Sequence, residues 1–254
     1  MPVGEIEADV VAEGKRLLEL ASARNLPLRL LGGVAIQLRA TNGLHRAFER
    51  RYADLDFVTA KRASGSAQVF FREAGYEPHK AFNALNGSER LLFFDSNNDR
   101  QVDVFVGSFS MSHEIPLGER LELEPETVPL AELLLTKLQI AQLNEKDVRD
   151  ALAILHSHEV ADTDADCVNA GRVAQLCGRD WGLWRTITGN LETCRGHLDH
   201  YDVGDGEKAT IRERIDDLLD RIEREPKSRG WKLRARIGER KRWYEIPEEV
   251  GGGP

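Results

Sequence analysis

Leu26-Pro27-Leu28-Arg29-Leu30-Leu31-Gly32-Gly33 and, twenty residues on, Ala53-Asp54-Leu55-Asp56-Phe57-Val58-Thr59-Ala60 are the stretches whose reading decides the fold. The first is a short apolar run that stops at a glycine pair. It predicts a buried strand, and Val34-Ala35-Ile36-Gln37-Leu38-Arg39-Ala40 after it predicts a short helix closed by the turn pair Asn42-Gly43. The second predicts a strand whose side chains alternate between two faces. Leu55 and Phe57 then point into a core while Asp54 and Asp56 share the opposite face. Two carboxylates side by side repel, so a strand that keeps both needs a cation or abundant water beside them.

A third acid sits in Gln101-Val102-Asp103-Val104-Phe105-Val106, where Asp103 is the only charge in an apolar strand. If this strand lies beside the first, Asp54, Asp56 and Asp103 form one cluster. Mg²⁺ is the natural counter-ion, being hard and held by carboxylates together with phosphate oxygens. Three carboxylates and phosphate oxygens can hold two such ions about 3.5–4 Å apart, the arrangement used for displacement at phosphorus. Gly32 and Gly33, where a strand meets a helix, let backbone approach a phosphate and offer it helix N–H groups.

Outward from these strands, residues 5–24 and 66–74 predict helices. Ala81–Leu85 and Arg90–Phe94 flank Asn86-Gly87 as a hairpin signal, and His113–Leu117 and Arg120–Glu124 are weaker strand candidates. Beyond Glu124-Pro125-Glu126-Thr127-Val128-Pro129 helical periods dominate to about residue 245. The expected fold is α+β. Residues 1–127 carry a mixed or antiparallel sheet with flanking helices, residues 128–254 form a helical domain, and a cleft lies between them.

Lys137 falls in the middle of the apolar stripe formed by Leu130, Leu133, Leu134 and Ala141. A buried ammonium needs an anion, so Lys137 is read as facing the cleft. Asn144 is the expected N-cap of the next helix. Asp147 flanks its core stripe, and Asp150 is expected to point away. Asp162, Thr163, Asp164, Ala165 and Asp166 imitate the start of a calcium loop but lack its later glycine and glutamate. Residues 207–225, rich in both signs, predict an exposed helix. Residues 227–242 hold eight basic residues and one acid, with Trp231, Trp243 and Tyr244 in or beside them; such a segment can grip RNA or lie as a surface helix against an acidic body.

The order Gly-Gly, Asp-hydrophobic-Asp, later Asp resembles the nucleotidyltransferase superfamily with the DNA polymerase β-like fold. Within it, Arg51, Leu134-Leu135-Thr136-Lys137 and Lys146-Asp147-Val148-Arg149-Asp150 look most like the AbiEii/MenT-type enzymes, the toxins of type IV toxin–antitoxin systems, over roughly residues 28–156. The resemblance implies transfer of a nucleoside monophosphate from an NTP to a hydroxyl, with Asp54, Asp56 and Asp103 holding two Mg²⁺ ions. It implies that Gly32, Gly33, Arg51, Lys137 and Asp147 contact the nucleotide, with Lys137 also catalytic. It further implies a tRNA 3′ end as acceptor and a cognate antitoxin as partner; a small-molecule acceptor, or a non-catalytic nucleotide- or partner-binding role, are the alternatives.

The net charge of −8 argues against coating nucleic acid by charge alone. No run of about 18 apolar residues predicts a membrane span. Three cysteines without a CxxC and an acidic start with no leader pattern suggest a cytoplasmic protein.

Overall fold

Asp9 opens the first helix by accepting hydrogen bonds from the N–H groups of Val11 and Ala12, an N-cap that satisfies two otherwise orphaned donors. In the computed structural model, which describes residues 5–40 and 43–246, this helix is α1 (Val10–Ala23). It is followed by β1 (Leu28–Leu31), α2 (Gly32–Arg39), β2 (Leu55–Thr59), α3 (Ser64–Glu73), β3 (Glu77–Pro78), α4 (Lys80–Asn86), β4 (Arg90–Asp95) and β5 (Arg100–Val106). A small hairpin, β6 (Ser108–Ser110) with β7 (Glu114–Pro116), leads to α5 (Leu130–Leu138) and α6 (Glu145–Ser157). A two-stranded parallel pair, β8 (Val160–Ala161) and β9 (Val168–Asn169), precedes α7 (Ala170–Arg179), α8 (Trp181–His197), α9 (Asp205–Arg224) and α10 (Arg229–Ile237).

The main sheet has the order β1-β2-β5-β4-β3. β2 and β5 run parallel and the other pairs antiparallel, so the sheet is mixed and the fold is α+β. One face packs on α1 and α3: Phe57 of β2 meets Phe71, which stacks on Phe93 of β4 at 4.9 Å. These rings and Leu17, Leu30 and Leu55 are fully buried. The opposite face carries the acids. Buried residues on both sides of Thr127 belong to one hydrophobic cluster. The segment at the expected boundary is stitched to the sheet edge, since Leu30 N–H donates to Glu126 O and Val128 N–H donates to Leu30 O.

Several expectations are corrected. Asn86-Gly87 is no hairpin turn: residues 80–86 are helical and Gly87 keeps a right-handed φ of −63°. The buried Asn83 explains why. Its amide donates to Leu92 O and accepts from Leu92 N–H, filling the edge of β4 with a side chain where a strand was expected. Arg120–Glu124 is no strand either, because Arg120 turns into a 3-10 segment to meet the fully buried Glu132 at 2.5 Å. Helix α1 starts at Val10 rather than residue 5, and α2 begins at Gly32 itself. Helix α9 is not fully exposed: Ile211, Ile215, Leu218 and Ile222 are buried along one side. Of the Asn42-Gly43 turn, Asn42 lies outside the described residues; Gly43 has φ +77°. Asp162, Asp164 and Asp166 pair with Arg221, Arg120 and Arg39. No helix among the described residues is long and apolar enough to cross a membrane.

Candidate active site

Asp56 lies within β2 and Asp54 one residue before it. Because β2 and β5 are parallel, Asp56 faces Asp103 across the pair, and directly paired residues project to the same side. All three acids thus meet on one face. On the other flank of Asp56 the chain leaves β1 through Gly32, at φ +65°. A Cβ there would lie 2.2 Å from Asp56 Oδ2, so only glycine lets the backbone bend against this carboxylate.

The acids differ in how they are satisfied. Asp103 is buried, and both its oxygens are taken: Arg90 Nε donates to Oδ1 at 2.6 Å and Gln101 Nε2 to Oδ2 at 2.7 Å. Among the described residues, Asp54 and Asp56 accept no side-chain hydrogen bond and sit in no ion pair. Burial, then the charge of Asp103, pushes the Asp56 carboxyl up to about 7, against the pull of Lys137. Asp54, nearer the mouth, is raised by desolvation and then by Asp103, with Lys146 and Arg50 acting the other way.

Lys137 enters from α5 and bonds Asp150 at 2.8 Å and, more loosely, Asp147 at 3.5 Å. Asp150 also receives a two-pronged contact from Arg50, Nε at 2.8 Å and Nη2 at 2.7 Å. Burial of Asp150 is outweighed by Arg50 and Lys137, which hold its carboxyl below the ordinary range. Burial of Lys137 is likewise outweighed by Asp150 and Asp147, so the ammonium is held charged. Asp147 is raised, chiefly by burial. The expectation that Asp150 points away is therefore overturned. Positions 147 and 150 are one helical turn apart on the same side, and both look at Lys137.

The expected Arg51 lies on the outer side of the chain, and its neighbour Arg50 on the inner. In the extended run before β2, alternate residues share a side, so Arg50 and Tyr52 are partly buried on the side that Asp54 also takes, Asp54 itself being exposed, while Arg51 is exposed on the other, with no ion pair among the described residues. The Arg50 guanidinium lies 4.5 Å over the Tyr52 ring. This pair fills the space beside Gly33, where a Cβ would meet Tyr52 at 2.3 Å. Gly32 and Gly33 are thus packed by this chain's own side chains. Among the described residues, the N-terminus of α2 has no side-chain cap and the buried Tyr52 hydroxyl has no partner. Sequence reading missed Arg50, Tyr52, Arg90, Gln101 and Asp150. The signal for Asp150 was its spacing of three from Asp147; for Gln101 it was its spacing of two from Asp103.

The donor set of Asp54 and Asp56, all carboxylate oxygen and lacking partners among the described residues, fits a hard divalent ion such as Mg²⁺. Asp103 fits by position but not by its present bonding. Among the described residues no three His, Cys, Asp or Glu side chains converge to hold a metal as they stand.

At the far end of the chain, α10 and the segment after it expose Arg229, Lys232, Arg236, Arg240, Lys241 and Arg242, none of them in an ion pair among the described residues. The nearby acid, Glu239, is already neutralised by Arg185 at 2.6 Å. An open cavity of about 620 Å³ beside this face is lined by Trp181, Trp231, Trp243, Tyr244 and Arg234.

No family model matches the chain, and no curated protein matches it. A similar solved structure is the solution structure of the antibiotic-resistance factor ANT(2'')-Ia, at 15% identity, covering 74% of this chain and 96% of that one, with a TM-score of 0.43.

Proposed function

We propose that this chain is a divalent-metal-dependent nucleotidyltransferase that moves a nucleoside monophosphate from an NTP to a hydroxyl acceptor. The observation that carries the reading is the acid row: Asp56 opposite Asp103 on parallel strands, with Asp54 two residues before Asp56. Two of these acids are without hydrogen-bond or ion-pair partners among the described residues, and Lys137 and Arg50 stand close by. Asp54 and Asp56 would hold Mg²⁺, whose chemistry is to neutralise triphosphate charge and align its oxygens. Asp103, freed from Arg90, orients the acceptor hydroxyl and takes its proton. The acceptor oxygen bonds to the α-phosphorus as the bond to the bridging oxygen breaks, and pyrophosphate leaves with that electron pair. Lys137 balances the charge growing on the leaving group. Asp150 and Arg50 hold Lys137 in position, and Gly32 gives Asp56 the room it needs.

Among acceptors, RNA is favoured by the exposed Arg229, Lys232, Arg236, Arg240, Lys241 and Arg242, in no ion pair among the described residues, next to an aromatic-lined cavity, a combination suited to phosphates and stacked bases. The narrower reading, a toxin acting on the tRNA 3′ end and restrained by an antitoxin, rests on the resemblance of residues 28–156.

Incubation with each of four α-labelled NTPs, Mg²⁺, total RNA and a panel of small polyhydroxyl compounds tests the proposal. Label entering RNA, and lost in Asp56→Asn, is the expected result. Label entering only small molecules removes RNA as acceptor. Calorimetric NTP binding with no transfer to any acceptor makes the chain a nucleotide-binding protein instead.

A further inference from the structure

The three acids share one face but not one state. Asp54 and Asp56 have no hydrogen-bonding partner among the described residues, while Asp103 is held on both oxygens. Arg90 sits two residues from Leu92, which is paired with Asp103 in the antiparallel β4–β5 ladder, so its side chain reaches along the same face. Its guanidinium is wedged against Phe105 at 5.2 Å and Phe82 at 5.9 Å, which fixes its height above the sheet. Only Nε is bonded. The Nη groups have no partner among the described residues, and the side chain stays 20% exposed. Lys137 cannot serve Asp103, because it is committed to Asp150 and Asp147.

We propose that Arg90 is an internal counter-cation that occupies Asp103 in the metal-free protein, must be displaced for a divalent ion to gain its third carboxylate, and on release pairs through its Nη groups with the triphosphate. The proposal rests on the nucleotidyltransferase reading. It accounts for why no three acids among the described residues form a ready-made metal site: the third ligand is already neutralised by a cation on a short tether. A guanidinium matches phosphate oxygens at least as well as it matches a carboxylate. The nucleotide therefore completes the site by giving Arg90 a second anion to hold. Arg90 is a positioning residue for Asp103 in the resting state and a nucleotide contact in the loaded one.

Mn²⁺ binding, read from the spectrum of the free ion by electron paramagnetic resonance with no nucleotide present, tests this on the full chain. Arg90→Met keeps the stem against Phe82 and Phe105 and removes the charge. It is expected to bind Mn²⁺ about tenfold more tightly than wild type, and non-hydrolysable NTP analogues about tenfold more weakly once Mn²⁺ is saturating. Arg90→Lys is expected to stay near wild type in Mn²⁺ affinity. A merely structural Arg90 would lose both affinities together on removal. Equal or weaker Mn²⁺ binding by Arg90→Met, with binding abolished in Asp56→Asn, overturns the role of Arg90 and leaves the metal site standing. No Mn²⁺ or analogue binding by wild type overturns the nucleotidyltransferase reading, and this proposal with it. If Arg90→Met does not fold, as judged by circular dichroism, Arg90→Gln carries the test with the same expected signs, since it removes the charge and keeps a polar side chain at the partly exposed position.

Discussion

Two carboxyl groups, those of Asp150 and Asp56, lie within reach of Lys137, and the protein treats them in opposite ways. Asp150 is buried, gripped by Arg50 on two atoms and by Lys137 on a third contact, and held ionised below the usual carboxylate range. Asp56 also loses much of its water, faces another acid, and is pushed up to about 7. Asp150 is bonded by two cations, whereas Asp56 sits in no ion pair among the described residues. Charge that is matched internally serves the fold, because a buried ion is tolerated only with partners. Charge left unmatched is set for something that arrives from outside, and carboxylates with raised values in a cleft mark a functional site. The difference separates a structural clamp from the site we propose takes a cation, although both are built from the same side chain.

The largest effect that sharpens this contrast is on activity. Asp56→Asn is expected to lower transfer by about a thousandfold, the scale set by losing one group that stabilises developing charge, while its circular dichroism spectrum stays that of wild type. Undiminished transfer would erase the distinction between the two groups. Next comes the clamp. Asp150→Ala strands Lys137 and Arg50 without their anion and is expected to cost about 3 kcal/mol of stability in urea unfolding. A cost near zero would show that Asp150 is not holding these cations. Transfer should fall in this variant too, since Lys137 loses its anchor.

A smaller effect lies in the pH dependence. With chelator present, the folded chain keeps the Asp56 proton up to about pH 7, whereas the unfolded chain releases it near pH 4. Stability should therefore fall as pH rises between these values, by roughly 2 kcal/mol after allowance for the partly open site. Asp56→Asn should flatten that part of the profile and raise the melting temperature at pH 8. A wild-type profile that rises through this range would contradict the unfavourable burial of Asp56. The smallest effect is Asp147→Asn, expected to cost under about 1 kcal/mol. Its contact with Lys137 is 3.5 Å long and its capping bond uses the backbone N–H, which the substitution keeps.

Much of this was legible in the sequence because strand alternation is strict. Once residues 55–59 and 102–106 are strands whose Leu55 and Phe57, and Val102 and Val104, face the core, the side on which Asp54, Asp56 and Asp103 stand is fixed, and a Gly-Gly pair between strand and helix marks the bend beside them. What could not be read was partner choice across elements. Arg50 and Arg51 are equivalent in composition, and only the phase of the extended chain before β2 selects Arg50. Asp147 and Asp150 were separated by the edge of a stripe, yet α6 is buried nearly all round from Val148 onward, so the stripe was a poor guide. Asn86-Gly87 carried a strong local turn signal that lost to one buried amide, Asn83, bonding the edge of β4. Arg90 was invisible because its role depends on the register of β4 against β5, which no local pattern states.

The central claim is that the row of Asp54, Asp56 and Asp103 takes a divalent cation together with a nucleotide. Anomalous diffraction at the manganese edge, from crystals soaked with Mn²⁺ and a non-hydrolysable NTP analogue, tests it most directly. A peak about 2.1 Å from Asp56 and Asp54 oxygens, with Asp103 released from Arg90 and the guanidinium on a phosphate, is the expected result. Nucleotide density elsewhere and no anomalous peak between β2 and β5 would contradict the account.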